Sequence, residues 1–310
     1  MSVFTALAQL HRASHHAFPD GRNGSMTKRL KFVLRSWPHR QFNTAWFEML
    51  QADDFMRSLA AHDHRLYRKL YRPYLSTSWL PARVLEALQT HYAWLRRQLP
   101  EPTMAAICLT DTWLLAEWTA GPLYQLRLTH DPLFYQEGEL TLSLRCPELG
   151  EGALALLSAT IARAADGAVT FYIGGLQGAD RALGAAAIKS AGRDLHGLRP
   201  KSLVVIAGQL LATGLGCARI LATDTATHAY STDDRRQSVE RQKMFFDYDT
   251  FWEECEGIRA DAAFYSLPLC ATRRTHEDMK AQKRPMYRRR YAMLDELAAA
   301  VSRSLTPPSS

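Results

Sequence analysis

Thr223–Ser231 reads TDTATHAYS and sets a carboxylate, an imidazole and a phenol close together, at Asp224, His228 and Tyr230. An imidazole titrates near neutrality, so His228 can take a proton from an attacking group. Tyr230 can return one to a leaving group, and Asp224 can orient either. The same residues also suit a plain polar loop after a strand. A second stretch, HGLRPKS at 196–202, has the residue types of an anion site. Gly197 permits a sharp turn, and Pro200 suits a first helical turn because it has no N–H to leave unpaired. Free N–H groups in that turn attract anions. Arg199 and Lys201 flank them as charge partners for phosphate or carboxylate, so His196–Lys201 can hold such a group. A capped helix with solvated basic residues is the alternative. The GxxxxGK[ST] pattern of a P-loop is absent.

Three further stretches carry polar chemistry. YIGGLQG places Gly174, Gly175, Gln177 and Gly178 at a strand end, which means close backbone approach: a ligand-facing loop, or a tight turn leaving the sheet. FDYDTFWEECEG (246–257) offers Asp247, Asp249, Glu253 and Glu254 among aromatics. It can hold a cationic substrate such as a Lys/Arg-rich peptide, or start a helix whose core face is Phe251 and Trp252. No histidine shares the cluster, so no metal is expected there. In KRPMYRRRYAML (283–294), helical phasing aligns Tyr287, Tyr291, Leu294, Ala298 and Val301, with Arg290 and Lys283 at that stripe and Arg288 and Arg289 toward solvent. A cation on a packed face requires a partner, either an internal carboxylate or an anionic ligand.

Composition sets the frame. The 310 residues are 47% hydrophobic and 22% charged, enough for a large core and unlike a disordered chain. Residues 271–290 hold eight Lys/Arg against two acids, a local +6 of the formal +7. The rest then reads as near neutral. That argues for a local anionic contact and against nucleic acid, which calls for dispersed basic residues on a known module. The five cysteines are odd in number and have no CxxC spacing, so neither a disulfide framework nor a standard zinc site is expected. No signal peptide is read at the N-terminus, and Ser202–Gly216 is too short and polar to span a bilayer. A cytoplasmic protein is expected, and oligomeric state is left open.

Periodicity divides the chain. Residues 1–101 read as a helical region, with Trp46, Phe47, Leu50, Phe55 and Leu59 near helical spacing, and Val84, Leu88, His91, Tyr92 and Leu95 on one face. Residues 102–310 read as a mixed α+β core with a C-terminal helix. AAICLTD, LYQLRLTHD, GELTLSLRC, GALALLSATIA and AVTFYIGG read as successive strands of an antiparallel meander. The fourth has helical composition but strand neighbours. Two helices follow, the second opening at Arg199-Pro200 and closing at Gly214 or Gly216. CARILATD and AAFYSLPL read as strands flanking a polar connection over 225–243. The last helix is expected over about 275–304.

YIGGLQG, LHGLRPKSL, FDYDTFWEECEG and KRPMYRRRYAMLDEL, in this order and spacing, resemble the VirK/YbjX family, also called DUF535, over roughly residues 30–303. RPYL (Arg72–Leu75) and His91-Tyr92 fit its N-terminal part. The resemblance implies a Gram-negative bacterial protein linked to virulence, to resistance against cationic antimicrobial peptides, and to envelope phenotypes. It implies no settled activity. The element order is also similar to the core of GCN5-related N-acetyltransferases, although their Q/R-x-x-G-x-G/A signature is missing and an extra helical stretch intervenes at 180–195. That likeness implies an acyl-CoA donor held at residues 174–178 and 196–201, with His228 as base, Tyr230 as acid and a peptide or envelope-related acceptor. The alternative is a non-catalytic factor that supports envelope integrity.

Overall fold

The structure, a computed structural model, describes residues 3–19, 26–111, 113–231, 247–275, 277 and 279–306. The expected polar connection lies outside the described residues beyond Ser231.

The amino-terminal region is helical, as its spacing predicts: α1 (Val3–Ala17), α2 (Met26–Ser36), α3 (Arg40–Leu50), α4 (Asp54–His62), a 3-10 stretch (His64–Tyr71) and α5 (Pro81–Gln98). Local chemistry sets the ends. Asp53 caps α4 by accepting from the Met56 N–H at 2.9 Å, and Pro81 opens α5. Trp46 is fully buried and satisfies its indole N–H on the Leu66 carbonyl at 2.8 Å. α5 buries the expected Val84, Leu88, His91, Tyr92 and Leu95 and packs on the sheet.

The sheet has eight strands: β1 (Leu114–Thr119), β2 (Leu123–Thr129), β3 (Leu140–Arg145), β4 (Ala155–Arg163), β5 (Val169–Gln177), β6 (Arg219–Thr223), β7 (Ile258–Arg259) and β8 (Phe264–Leu267). Their order is β1-β2-β3-β4-β5-β6-β8-β7, and every pairing is antiparallel except β5 with β6. β4 is a strand despite its helical composition, because both its edges pair with neighbouring strands. AAICLTD departs from expectation: Glu101–Cys108 is a helix, α6. Pro102 suits a first turn and Ala105 and Ala106 favour helix, and a short apolar run has no period to tell the two states apart. The first strand is instead LLAEWT.

The β5–β6 crossover runs through α7 (Gly184–Asp194) and α8 (Pro200–Gly214), and α8 opens and closes where its Pro and Gly punctuation says. α8 lies close on the sheet. A Cβ on Gly208 would come within 3.3 Å of Leu157 and 4.0 Å of Phe171. After β6 comes α9 (Tyr248–Glu254), and α10 (Arg284–Leu305) closes the fold against α8 and β1. α10 starts nine residues later than expected, since Pro285 occupies its first turn and does not kink its interior. Its buried stripe is Met293, Leu294, Leu297, Val301 and Leu305. One hydrophobic core joins the helical region and the sheet.

Candidate functional site

The parallel pair is short. Thr170–Ile173 align with Arg219–Ala222, and there the pairing stops. On its other edge β5 carries an irregularity at the same level. Ile173 pairs with Ala159 and Gly175 with Ser158, leaving Gly174 without an opposite residue. The glycines are explained by what presses on them. A Cβ on Gly174 would lie 2.0 Å from the Glu137 carbonyl oxygen and 2.2 Å from Leu75, and one on Gly175 would lie 2.5 Å from the Glu137 carboxylate. Three segments thus clasp the end of β5. The Leu75 N–H donates to Gln136 O (2.7 Å), the Thr77 N–H to Thr227 O (2.6 Å) and the Ala229 N–H to Leu75 O (3.1 Å). Leu75 holds a left-handed φ of 58° to make these turns.

His228 lies inside this clasp, 1% exposed. Its ring stacks on Tyr248 at 5.1 Å and 17°, with Tyr230 at 5.6 Å. Nδ1 accepts from the Tyr230 N–H at 3.3 Å, which assigns the imidazole proton to Nε2. Nε2 stands 3.4 Å from Glu137 Oε1, within ion-pair reach but without hydrogen-bond geometry, and has no hydrogen-bond partner among the described residues. Gln177 Nε2 approaches the other carboxylate oxygen at 3.5 Å. Past the end of the β5–β6 pairing, the Tyr248 hydroxyl takes over from the missing strand. It accepts from the Leu176 N–H at 3.2 Å and faces the Leu176 carbonyl at 3.5 Å. Burial raises this phenol well above its ordinary range.

Asp224 does not orient His228. Its carboxylate accepts from the Thr227 N–H (2.8 Å) and hydroxyl (2.7 Å) and pairs with Arg259 (2.7 Å), so it fixes the turn that delivers His228. Asp249 supports the same turn through the Thr225 N–H (3.1 Å) and Arg259 (3.0 Å). Asp247 caps α9 on the Thr250 N–H (3.1 Å) and hydroxyl (2.6 Å). Glu253 is exposed, with Phe251 and Trp252 on the core face of α9.

Around the start of α8, His196 and Gly197 take left-handed φ values of 52° and 76°. Arg290 donates to the His196 carbonyl from Nε (3.1 Å) and Nη2 (2.8 Å) and lies 4.5 Å over Tyr287. Its partner is therefore a backbone oxygen turned outward by the left-handed bend, not the carboxylate or anion expected for it. Lys283 is exposed and precedes α10, off the packed stripe. Arg199 is exposed and pairs with Glu254 at 2.9 Å. Lys201 is half-buried, its Cε 3.2 Å from where a Gly178 Cβ would stand, and burial lowers its amine to about 8. The end of β5 and the first turn of α8 therefore meet at Gly178 and Lys201.

Sequence reasoning missed Glu137, although Gly174-Gly175 signalled a close approach by something. It also missed a buried polar cluster two residues on. Glu139 binds Lys69, accepts from Tyr74 (2.7 Å) and Tyr92 (2.6 Å), and is buried with all three partners. His130 Nδ1 faces the Glu139 carbonyl at 3.0 Å, and Nε2 faces Asp63 at 3.3 Å. Two acceptors call for two ring protons, so two cations meet two carboxylates. Burial pushes the Glu139 carboxyl up, but Lys69, His130 and His91 outweigh it and hold it at about 2. Asp63 is likewise held at about 2, against burial, by His130. His91 accepts from the Ile161 N–H at 3.1 Å, and burial lowers its imidazole to about 3.

Fold and site define an α+β protein: a mixed sheet with one parallel pair, clasped at the end of that pair by a Glu–His–Tyr cluster and joined to a helical region by buried charge. The chain belongs to the DUF535 family, described as proteins of unknown function, whose profile matches residues 22–303. It is 34% identical over 272 residues to the uncharacterized protein YbjX of Escherichia coli K12, covering 87% of this chain and 81% of that one. An uncharacterized Haemophilus influenzae protein is 37% identical over 111 residues, 36% of each chain. No solved structure matches. Among the described residues no helix is long and apolar enough to cross a membrane.

Proposed function

We propose that this chain is a cytoplasmic acyltransferase-like enzyme, related in core topology to the GCN5-type N-acetyltransferases, that passes an acyl group from a CoA-type thioester to a peptide or envelope-related acceptor. The observation that carries the reading is the divergence of β5 from β6 after Ile173 and Ala222, with the irregularity at Gly174 and the first turn of α8 beside Gly178. An amide-bearing arm would enter there by displacing the Tyr248 hydroxyl from the Leu176 N–H and C=O. The first turn of α8, which has no side-chain cap, and Lys201 suit the donor's pyrophosphate. The family-linked roles in virulence and antimicrobial-peptide resistance would follow from the acceptor that is modified.

At the acceptor side the roles shift from those read off the sequence. His228 presents an N–H at Nε2 and not a lone pair, so Glu137 is the better base. Glu137 takes the proton of the attacking amine or hydroxyl, directly or through one water, with His228 Nε2 3.4 Å from its carboxylate. Tyr230, at the edge of the cluster, returns a proton to the departing thiolate. The proton left on Glu137 is then lost to solvent and Tyr230 regains one from solvent, which restores both groups for the next turnover.

Calorimetry with acetyl-CoA and longer acyl-CoAs tests the donor. Binding that weakens in Lys201→Ala supports it, and no heat with any acyl-CoA removes the donor claim. The enclosure of the cluster favours a second reading, a non-catalytic binding factor, because His228 and Glu137 are 1% and 3% exposed. Binding without turnover across a panel of amine and hydroxyl acceptors would select it.

A further inference from the structure

The outer faces of the first two helices serve neither the sheet nor the clasp. α1 exposes Val3 (58%), Phe4 (83%) and Leu7 (46%), and α2, packed beside it, exposes Met26 (85%), Leu30 (57%) and Leu34 (63%). Met26, Leu30 and Leu34 are spaced by four and form a ridge along the whole of α2, away from its buried Phe32 and Ser36. Lys28, Lys31 and Arg35 form the next ridge around the helix. Neither helix contains an acidic residue. Residues 1–47 hold seven Lys/Arg and one acid, Asp20, a local +6 equal to that of residues 271–290. The remainder of the chain is therefore not near neutral throughout, and its second basic region carries the exposed apolar ridge.

We propose that the α1–α2 face docks on an anionic phospholipid surface. An apolar ridge flanked by long basic side chains and free of acids matches that environment. The ridge enters the boundary between headgroups and acyl chains, and the Lys and Arg stems reach out to the phosphates. Arg35, at the end of the basic ridge, donates to the Tyr71 hydroxyl, a neutral acceptor. A second copy fits less well, because two acid-free faces would meet with like charge. The rows are ridges on outward helix faces, a shape suited to a planar, deformable partner.

Sedimentation of the full chain with lipid vesicles decides it. Vesicles of phosphatidylcholine with phosphatidylglycerol should carry the protein down, those of phosphatidylcholine alone should do so weakly, and added salt should release it. The double substitution Leu30→Gln, Leu34→Gln should weaken partition by about tenfold or more, and Lys31→Glu should weaken it on the anionic vesicles. These side chains are exposed, so an unchanged melting curve verifies the fold. Arg288→Ala with Arg289→Ala, on the other basic region, should leave partition intact. The proposal is overturned if the wild type ignores anionic vesicles, if the ridge variants bind undiminished, or if only the Arg288 and Arg289 changes matter. A wild-type dimer that the ridge variants split, without vesicle binding, would overturn it in favour of a second copy.

Discussion

Arg290 on α10 grips the carbonyl of His196, 94 residues earlier, with two N–H groups at 3.1 and 2.8 Å. The bond ties the C-terminal helix to the left-handed bend that aims α8. Arg290→Ala should cost about 1.5–3 kcal/mol, as expected for a charged hydrogen-bonding group. Arg290→Lys should recover only part, since an ammonium cannot reproduce the fork or lie flat on Tyr287. Urea unfolding at constant m-value measures both, and a fully stable lysine variant would show that the fork is dispensable.

The Lys69–Glu139 pair should behave asymmetrically. Lys69→Met alone strands a buried carboxylate and should cost about 3–5 kcal/mol. Combining it with Glu139→Gln should return a good part of that loss, because the uncompensated charge disappears. A double-mutant cycle by chemical denaturation gives the coupling, and additive losses would mean that the two groups act independently.

The same cluster sets an acid limit. Glu139 and Asp63 have folded pKa values near 2, below their ordinary 4.5 and 3.8, so their contribution is present above those ordinary values and is lost as pH falls toward 2. His91, lowered from 6.5 to about 3, acts in the same direction from pH 6.5 downward. His130 acts oppositely. Burial lowers it, but Asp63 and Glu139 raise it above 6.5, so its contribution is present below 6.5 and fades as pH rises through the folded value. The melting temperature should therefore fall steeply from pH 4.5 to 2, with a shallower drop in Glu139→Gln. Parallel wild-type and variant profiles would contradict this assignment.

Glycine substitutions should separate by environment. Gly174→Ala drives a methyl into the Glu137 carbonyl, where backbone cannot yield, and should cost about 1–3 kcal/mol or more. Gly192, inside α7 with open space around it, should become more stable as alanine by about 0.5–1 kcal/mol. Thermal melts of the two variants should move in opposite directions, and a neutral Gly174→Ala would mean that the 135–139 segment moves aside readily.

The sequence revealed most where structure is decided locally. Pro200 and Gly214 bound α8 because caps and breakers act through their own turn. β4 was legible from its neighbours. α6 was not, because its eight residues hold too few turns to show a period. Phasing α10 showed that Arg290 needed a partner, yet the acceptor it found is main chain, and every residue carries such an oxygen. Glu137 was hidden for a similar reason. Its position over Gly174 and Gly175 depends on how three distant loops meet, and one glutamate between strands has no pattern. The basic ridge of α2 was lost in averaging, since later acids balance its charge.

Lys69 and Glu139 stand 70 residues apart in the chain, and a ribosome releases them in that order. When the first helices emerge, the ammonium destined for burial has no counter-charge and must stay in water. The helical region therefore cannot finish packing before Glu139 has emerged. It waits, open at that position, until the hairpin of β2 and β3 is out.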